Sequence, residues 1–338
     1  MNTSTKFLKG FLATSFLVLF VLGLPGLSQA FIGFNYRMVL RINNPGAPLT
    51  NHPVSFVLNT QALVGAGKMR ANGHDVRITS TQDCNPYCHW IERPTMNTPT
   101  TRIWFKIPNL PAGQTDVVLW YGNPAATYIE DCACVFPFCD DFEAPTLNLA
   151  TWSVQNATGN HVINNGTIQI TSNGEYDLRT LASFQTPVLE EMYVVSSGGN
   201  WPNMAQLVAG TSSGRAMFQS GAQMLFGSLF QACAPQGWAA YIYAPGGPNI
   251  AAGIWSSQWC SLNDFRITWN NGAGTGVFNV VGPPAGPAAF PANVSLGFGG
   301  ICSGGGNITI DWIRGRPNRQ CGFVEPTVTL TVEELNQV

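Results

Sequence analysis

The most suggestive chemical spacing in the chain combines cysteines with one histidine. Cys84, Cys88 and His89 have the spacing of half a zinc site. The other half would have to come from Cys132 and Cys134. Disulfide bonds are preferred, because the chain carries the export signal described below and exported cysteines are oxidised. Nine cysteines leave one thiol that is free, pairs with another chain or binds something else. The disulfide candidates are Cys84, Cys88, Cys132, Cys134, Cys139, Cys233, Cys260, Cys302 and Cys321.

A serine nucleophile activated by histidine is not indicated. Such a serine commonly sits on a sharp strand-to-helix turn, and beyond residue 30 the chain shows almost no helical pattern. Only the histidine beside Cys88 lies near other reactive side chains in the sequence. The four histidines are His52, His74, His89 and His161.

Aromatic rings that stack on sugars would form a second kind of site. Tyr241 and Tyr243 share one face of a predicted strand. Trp255 and Trp259 have the same parity, but Ser-Ser-Gln separates them and predicts a loop. Most tryptophans of a sandwich belong to its core, so only some of these rings are expected to contact a ligand. The glycan-binding candidates are Trp201, Trp238, Tyr241, Tyr243, Trp255 and Trp259.

Charged residues are scarce, and the scarcity is concentrated in one stretch. They make up 10% of the 338 residues, against about 25% in an ordinary soluble domain. The scarcity of charge excludes coiled coils, helical bundles and charged disordered tails. A net charge of -2 gives no sign of the basic surface that binds nucleic acid. The stretch with the fewest charged residues is 181–300. We expect it to be shielded by sugar, covered by neighbouring molecules or used to contact a surface. Its charged residues are Glu190, Glu191, Arg215, Asp264 and Arg266.

Residues 1–30 are predicted to be a cleaved signal peptide of the Sec type. Lys6 and Lys9 precede an apolar run from Phe11 to Leu24, and small residues at Ser28 and Ala30 suit a signal peptidase. A retained anchor is the alternative, although the run is short for a span of about 20 residues. We therefore expect an extracellular or cell-surface protein. Its glycosylation candidates are Asn156, Asn165, Asn293 and Asn307.

Beyond residue 30 the chain alternates between apolar and polar residues in short runs. Each run is bounded by Gly, Pro, Asn or Asp, as strands of a sandwich are. The sequence therefore predicts an all-β fold of two antiparallel β-sandwich domains. The predicted segments are a signal peptide at 1–30, a small sandwich at 31–127, a Cys-rich linker at 128–139, a jelly roll at 140–321 and a C-terminal strand or tail at 322–338.

Two further expectations concern the packing of these strands. Trp90, Trp104 and Trp120 are predicted to lie in the core of the small sandwich, where their area would dominate burial. The perfect alternation from Pro326 to Glu333 predicts an edge strand. That strand closes a sheet of its own chain or completes a sheet of a neighbouring subunit.

Six short motifs in the first half occur in an order and spacing that resemble a known family. The match covers residues 34 to about 127. It implies an uncharacterised secreted β-sandwich domain of prokaryotic surface proteins, which commonly precedes a concanavalin-A-like lectin/glucanase jelly roll. The motifs are Tyr36-Arg37, Asn51-His52-Pro53-Val54, Asp75-Val76-Arg77, His89-Trp90-Ile91-Glu92, Ile103-Trp104-Phe105-Lys106-Ile107 and Trp120-Tyr121-Gly122-Asn123-Pro124.

The second half resembles such a jelly roll at its two ends. Asp140-Asp141-Phe142-Glu143, Trp152 and an Asn165-Gly166 hairpin look like its opening, and Ile310-Asp311-Trp312-Ile313-Arg314 looks like its final strand. The resemblance implies a sheet face that often binds glycans. It also implies a structural Ca²⁺ near the opening and closing strands, with carboxylate and backbone oxygens as ligands. The calcium candidates are Asp140, Asp141 and Asp311, and the alternative is that Asp311 bonds a neighbouring turn.

A glucanase of this fold would need two carboxylates about 5 Å apart. They usually occur in a Glu-x-Asp-x-Glu string on one strand, where alternation places all three on one side. No such string occurs here, and the adjacent Glu190 and Glu191 would point to opposite faces of a strand. A glycoside hydrolase is therefore the least favoured function.

These features predict a non-catalytic surface protein that binds glycans or a cell-surface polymer. No cofactor is required, and a structural calcium ion is the one candidate. The alternative is a structural subunit of an extracellular filament or coat, assembled from copies of itself by strand exchange. Only Lys68 and Lys106 remain beyond residue 30, although lysine commonly guards exposed β edges.

Overall fold

The chain is an all-β protein of antiparallel strands, as its alternation predicted. A computed structural model describes residues 31–82, 85–155, 159–172, 176–185, 188–199, 204–208, 223–226, 253–261, 264–270, 275–279, 293–300, 306–317 and 323–336. Within these ranges no helix has the length and apolar character needed to cross a membrane.

The first sandwich has one sheet in the order β1-β6-β3 and a second in the order β2-β5-β4. Apolar residues of alternating positions, among them Leu40, Ile42, Phe56 and Phe105, fill the space between the sheets. Its elements are β1 (Tyr36–Asn44), β2 (Leu49–Leu58), α1 (Thr60–Gly65), β3 (Arg77–Ser80), β4 (His89–Ile91), a 3-10 helix (Arg93–Thr95), β5 (Thr101–Leu110) and β6 (Gly113–Tyr121).

The second sandwich follows a short helix, α2 (Cys132–Val135), whose first turn is capped by the side chain of Asp131. Its strands are β7 (Phe138–Asp140), β8 (Trp152–Gln155), β9 (Gly159–Asn164), β10 (Thr167–Ser172), β11 (Tyr176–Thr180), β12 (Phe184–Gln185), β13 (Val188–Gly199), β14 (Met204–Val208), β15 (Gln223–Phe226), β16 (Gly253–Ser261), β17 (Asp264–Asn270), β18 (Thr275–Asn279), β19 (Asn293–Gly300) and β20 (Gly306–Pro317).

These strands form two facing sheets. One has the order β18-β17-β16-β13-β20-β10-β9, with β7 also paired to β20, and the other has the order β15-β14-β19-β11-β8, with β12 paired to β19. Ile168 lies opposite Ile310, and both are fully buried with Phe298 of the other sheet. The hairpin predicted at Asn165-Gly166 is present between β9 and β10, and the positive φ angles of both residues suit a tight turn.

The C-terminal segment returns to the first sandwich. Strand β21 (Thr327–Leu330) pairs with β1, and β22 (Glu334–Leu335) pairs with the beginning of the same strand. Val328 and Leu330 pack against the first core. The edge strand predicted from the alternation is therefore present, and the second sandwich is inserted in the chain between β6 and β21.

Two expectations about tryptophans are corrected. Trp90 and Trp104 are buried on the outer face of the β2-β5-β4 sheet, and Trp120 is buried on the outer face of the other sheet. Alternation explains this, because their neighbours Ile91 and Phe105 occupy the inner face. The loop expected around Trp255 and Trp259 is also wrong, because both lie on β16, whose backbone pairs with two strands.

Candidate functional site

The two sandwiches meet at a buried arginine. The guanidinium of Arg314, on β20, lies 4.3 Å from the ring centroids of Trp104 and Trp312 and 4.9 Å from that of Phe136. Trp104 belongs to β5, so the cation is held between side chains of both units. A guanidinium suits this position because its delocalised charge is weakly hydrated and stacks on aromatic faces.

Two glutamates, one from each sandwich, neutralise this arginine. Arg314 donates from Nη1 to Glu92 over 2.9 Å and from Nε to Glu191 over 2.8 Å. Arg316 also donates to Glu191, over 2.8 Å. Burial alone would raise the pKa of Glu191, but the two arginine charges outweigh it and lower that pKa to about 2. Glu191 is therefore ionised and committed to the contact between sandwiches.

Glu190 points to the other side of the same strand. Its side chain is fully buried, and Oε1 accepts a hydrogen bond of 2.8 Å from the backbone N–H of Gly297, on the facing sheet. The prediction that Glu190 and Glu191 face opposite sides is confirmed. Glu190 contacts the facing sheet of the second sandwich, whereas Glu191 contacts the arginine at the junction with the first sandwich.

Two disulfide bonds tie the connecting segment to both sandwiches. Cys88, immediately before β4, is bonded to Cys134 of α2, and Cys132 is bonded to Cys139 of β7. The two halves of the hypothetical zinc site are thus joined through a disulfide. Of the other candidates, Cys84, Cys233, Cys302 and Cys321 lie outside the described residues, and only the backbone of Cys260 is described.

His89 is a buried neutral side chain beside this disulfide. It is 1% exposed, and neither ring nitrogen has a hydrogen-bond partner within the described part of the chain. Burial, assisted by the charges of Arg77 and Arg93, lowers its pKa to about 4. The imidazole is therefore uncharged at neutral pH.

The adjacent calcium candidates Asp140 and Asp141 accept hydrogen bonds from tryptophans of different sandwiches. Asp140 accepts hydrogen bonds from the indole N–H of Trp152 over 2.6 Å and from the backbone N–H of Phe142 over 2.9 Å. Asp141 accepts from the indole N–H of Trp90 over 3.0 Å, which links it to the first sandwich. Burial raises the pKa of both carboxyls.

Asp311 lies at an irregularity of the sheet. Tyr193 pairs with Trp312 and Val194 pairs with Ile310, so Asp311 is the extra residue of a β-bulge on β20. Burial, together with the charges of Glu143 and other nearby carboxylates, raises its pKa to about 7. The alternation of the final strand predicted the strand itself but not this bulge.

The expected calcium site is only partly assembled by these residues. Both oxygens of Asp140 already accept one hydrogen bond each, which leaves one acceptor position on each oxygen. The charge of Asp141 contributes to the raised pKa of Asp311. Among the residues with described positions, no group of three or more His, Cys, Asp or Glu side chains could hold a metal ion. Calcium stays a prediction.

An aromatic ring and an ion pair lie next to these acids. Tyr128 is 50% exposed, and its ring centroid lies 4.7 Å from that of His74. Arg93 lies 5.9 Å from the Tyr128 ring and donates to Glu130 over 2.7 Å. Burial raises the pKa of Glu130 to about 7, and the charge of Asp141 contributes in the same direction. We call His74, Arg93, Tyr128, Glu130, Asp141 and Asp311 the junction patch.

Sequence reasoning missed most of this patch. Tyr128 and Glu130 belong to a segment without periodic pattern, which was assigned to a linker. The one available signal was an aromatic residue followed closely by acids in a Pro-bounded segment. Nothing in the local sequence indicates that Arg93 and Asp311 approach it.

The predicted sugar-stacking residues are only partly placed. Trp201, Trp238, Tyr241 and Tyr243 lie outside the described residues. Backbone register places Trp255 opposite Met192 and Trp259 opposite Val188, two residues that are buried in the second core. Sugar stacking at Trp255 and Trp259 stays a prediction, because only the backbone of these residues is described.

The glycosylation candidates also differ in what is described. Asn165 is exposed at the tip of the β9–β10 hairpin, and Asn307 is half-buried on β20. Asn156 lies outside the described residues, and only the backbone of Asn293 is described. Glycosylation at any of them stays a prediction, with Asn165 the most accessible of those described.

Comparison with known proteins gives one family match and several structural likenesses. Residues 72–155 match a domain of unknown function, DUF2341. No curated protein matches the chain. A glycosyl hydrolase family protein from Mycobacterium fortuitum is 14% identical, with a TM-score of 0.34 over 53% of this chain and 99% of that one. An immunostimulatory antigen and pseudo β-1,3-glucanase of Mycobacterium tuberculosis is 13% identical, with a TM-score of 0.36 over 54% and 98%. LamAcat from Zobellia galactanivorans is 14% identical, with a TM-score of 0.33 over 53% and 96%.

Proposed function

We propose that this chain is a non-catalytic extracellular protein whose paired β-sandwiches recognise a glycan or a cell-surface polymer. The proposal rests on the observation that Glu190 and Glu191 are both used in structural contacts. These are two of the three acids between residues 181 and 300, and both are buried in structural contacts. The sheet face that carries Glu191 is occupied by the first sandwich, so an open catalytic cleft does not form around it.

Among the carboxyls with described positions on the strands of the second sandwich, Asp311 is the best candidate for the acid of a hydrolase. Its raised pKa suits a general acid, but hydrolysis also requires an ionised partner carboxylate at a suitable distance. The nearby Asp141 is bonded to Trp90, and burial raises its pKa as well. Asp141 and Asp311, two neighbouring carboxyls with raised pKa values, do not by themselves supply the required division into acid and nucleophile.

The test combines binding and hydrolysis on the same purified chain. We expect binding to members of a glycan array without release of reducing ends from polysaccharides that contain the same sugars. Asp311→Asn, which removes the only candidate acid on β20, should leave the low hydrolysis background unchanged. Hydrolysis that disappears in Asp311→Asn would contradict the non-catalytic proposal, and the absence of any binding would contradict the recognition proposal.

A second candidate function, assembly by strand exchange, is favoured by the position of β21. This strand covers the outer edge of β1, and another copy could supply it without any new type of contact. Arg41 and Thr329 are exposed partners in the register. Mixing Arg41→Cys with Thr329→Cys, refolded together, should give disulfide-linked dimers if strands exchange, whereas monomers only would exclude exchange.

A further inference from the structure

One strand edge of the second sandwich has no partner strand within the described part of the chain. Strand β9 is the last strand of its sheet and pairs only with β10. Its exposed residues are Asn160, Val162 and Asn164, and Val162 is 53% exposed. A strand edge of this kind presents unpaired backbone N–H and C=O groups, which another strand can satisfy.

Strand β9 is firmly held on its other side. All 6 of its residues are in register with β10, and Ile163 lies opposite the fully buried Ile168. The ring centroid of His161 lies 6.1 Å from that of Tyr176, on the facing sheet. The open edge is therefore presented in an ordered, extended conformation, so little conformational entropy is lost when a partner strand pairs with it.

This edge lacks the features that normally prevent pairing between strand edges. Such features are proline, charged side chains, bulges and covering segments. In the first sandwich the edge strand β2 contains Pro53, and the edge of β4 is covered because Asp131 donates to the carbonyl of His89 over 3.1 Å. Strand β9 has neither proline nor a charged residue, and no Asp, Glu, Lys or Arg occurs from 144 to 174.

The hairpin determines which backbone groups of β9 are free. A two-residue turn joins β9 to β10, so Asn164 and Thr167, on either side of it, exchange backbone hydrogen bonds. The pattern repeats at every second residue, so the backbone of Val162 also bonds β10. The backbone groups of His161 and Ile163 therefore point to the open edge.

This arrangement is complementary to a second copy of the same strand. A two-fold axis beside Val162 makes the two β9 strands antiparallel and places His161 opposite Ile163 of the second copy, so that their free backbone groups meet. The same axis brings the two exposed Val162 side chains together. A strand of another protein that carried charged residues would gain no ion pair from β9, because β9 is uncharged apart from His161, whose pKa is lowered by burial.

We infer that the chain forms a symmetric dimer in which β9 pairs antiparallel with β9 of a second copy, with the two Val162 side chains in contact. This interface is separate from β21 and does not depend on the proposed recognition function. The sheet that contains β9 continues through both copies. Two copies of any recognition surface would then engage a repetitive polymer together, which increases avidity.

The test measures the oligomeric state of the full chain against its concentration by light scattering. The chain is produced without glycosylation, so that no sugar at Asn165 obstructs the edge. We expect a concentration-dependent dimer. Val162→Lys should weaken dimerisation about tenfold, because the axis places two like charges directly opposite each other. The matched control is Val57→Lys, an exposed valine on the strand that contains Pro53, and it should leave the dimer unchanged.

Cysteine substitutions test the register of the pair. Val162→Cys should form a disulfide-linked dimer under mild oxidation, because a central pair without hydrogen bonds brings its Cα atoms to about 4.5 Å, within reach of a disulfide. Asn160→Cys lies on the same face and should not link to itself. It should link to Asn164→Cys when the two variants are mixed. The unmodified chain gives the baseline for dimers linked by the native cysteines.

Each contrary outcome has a definite meaning. Monomers at every concentration would overturn the inference, and so would equal cross-linking of Val162→Cys and Asn160→Cys. Dimers that resist Val162→Lys would also overturn it and would indicate another surface, such as exchange of β21. Glycan binding by a chain that is always monomeric would leave the recognition function standing without the dimer. Melting temperatures verify that the variants are folded.

Discussion

Arg314 and Trp104 come from different sandwiches, and the guanidinium of the first lies 4.3 Å from the ring centroid of the second. Glu92 and Glu191 approach the same guanidinium from the two sides of the interface. A buried ion pair of this kind contributes mainly through the penalty for breaking it, because the remaining charges would be buried without a partner. The contact therefore fixes how the two units are joined.

Arg314→Met should destabilise the protein by about 3–5 kcal/mol, because it leaves Glu92 and Glu191 without their shared cation. Urea denaturation would measure the loss in the free energy of unfolding. Adding Glu92→Gln to Arg314→Met should restore part of it. The matched control Arg41→Met breaks an exposed, solvent-screened pair with Asp116 and should cost far less than Arg314→Met. Equal losses in the two arginine variants would contradict the importance of the buried contact.

The contribution of His89 to the free energy of unfolding should be lost in mild acid, opposite in sign to the contributions of Glu130 and Asp311, whose pKa values are raised. In the unfolded chain its pKa is near 6.5, whereas burial lowers it to about 4 in the folded protein. Protonation below pH 6.5 therefore favours the unfolded chain, and the stability present above that pH is lost progressively as the pH falls to 4. The contribution of this residue amounts to about 3 kcal/mol.

His89→Leu isolates this effect, because it replaces an imidazole without hydrogen-bond partners by an apolar side chain. In unfolding experiments the difference in free energy of unfolding between His89→Leu and the unmodified protein should shift in favour of the variant as the pH falls from 7 to 4. The comparison uses the change of this difference with pH, so a uniform change in stability does not affect it. A difference that stays constant with pH would show that His89 does not titrate as proposed.

The C-terminal segment should be necessary for the stability of the first sandwich. Leu330 packs against the first core, whereas Val332, two residues later, is 84% exposed. Leu330→Ser is expected to lower the free energy of unfolding by about 1–2 kcal/mol, because apolar burial is lost. Val332→Ser should change it by less than about 0.5 kcal/mol. Thermal denaturation of the two variants compares them directly, and similar melting temperatures would contradict a structural role for β21.

The calcium prediction has a simple test. If a Ca²⁺ ion is bound near Asp311, removing it with EDTA should lower the melting temperature, and added Ca²⁺ should restore it, because a ligand of the folded state stabilises that state. Asp311→Asn should remove the response to Ca²⁺. A melting curve that is insensitive to EDTA would exclude a structural calcium ion.

Local alternation was sufficient to predict most of the fold. It identified the strands around Leu40, Phe105 and Ile310, the β9–β10 hairpin and the C-terminal strand. It failed where a strand carried an unusual run of polar residues, as between Trp255 and Trp259, because two neighbouring strands stabilise that segment through backbone pairing.

The candidate site was less predictable, because it depends on contacts between distant parts of the chain. Arg314 could be recognised as part of a final strand, but nothing nearby in sequence indicates that it reaches Glu92 and Trp104. The same holds for Asp311, whose surroundings come from the connecting segment. Pattern analysis assigns residues to faces of a strand, and it does not say which distant surface covers each face.

The insertion of the second sandwich between β6 and β21 has a consequence for the order of folding. The outer edge of β1 pairs with β21, which is synthesised only after the entire inserted sandwich. During translation the second sandwich therefore has to fold while the first still exposes an open β edge. Contacts of such long sequence separation are expected to form slowly. The interval before β21 arrives is the stage at which a nascent chain is most vulnerable to pairing with the wrong strand.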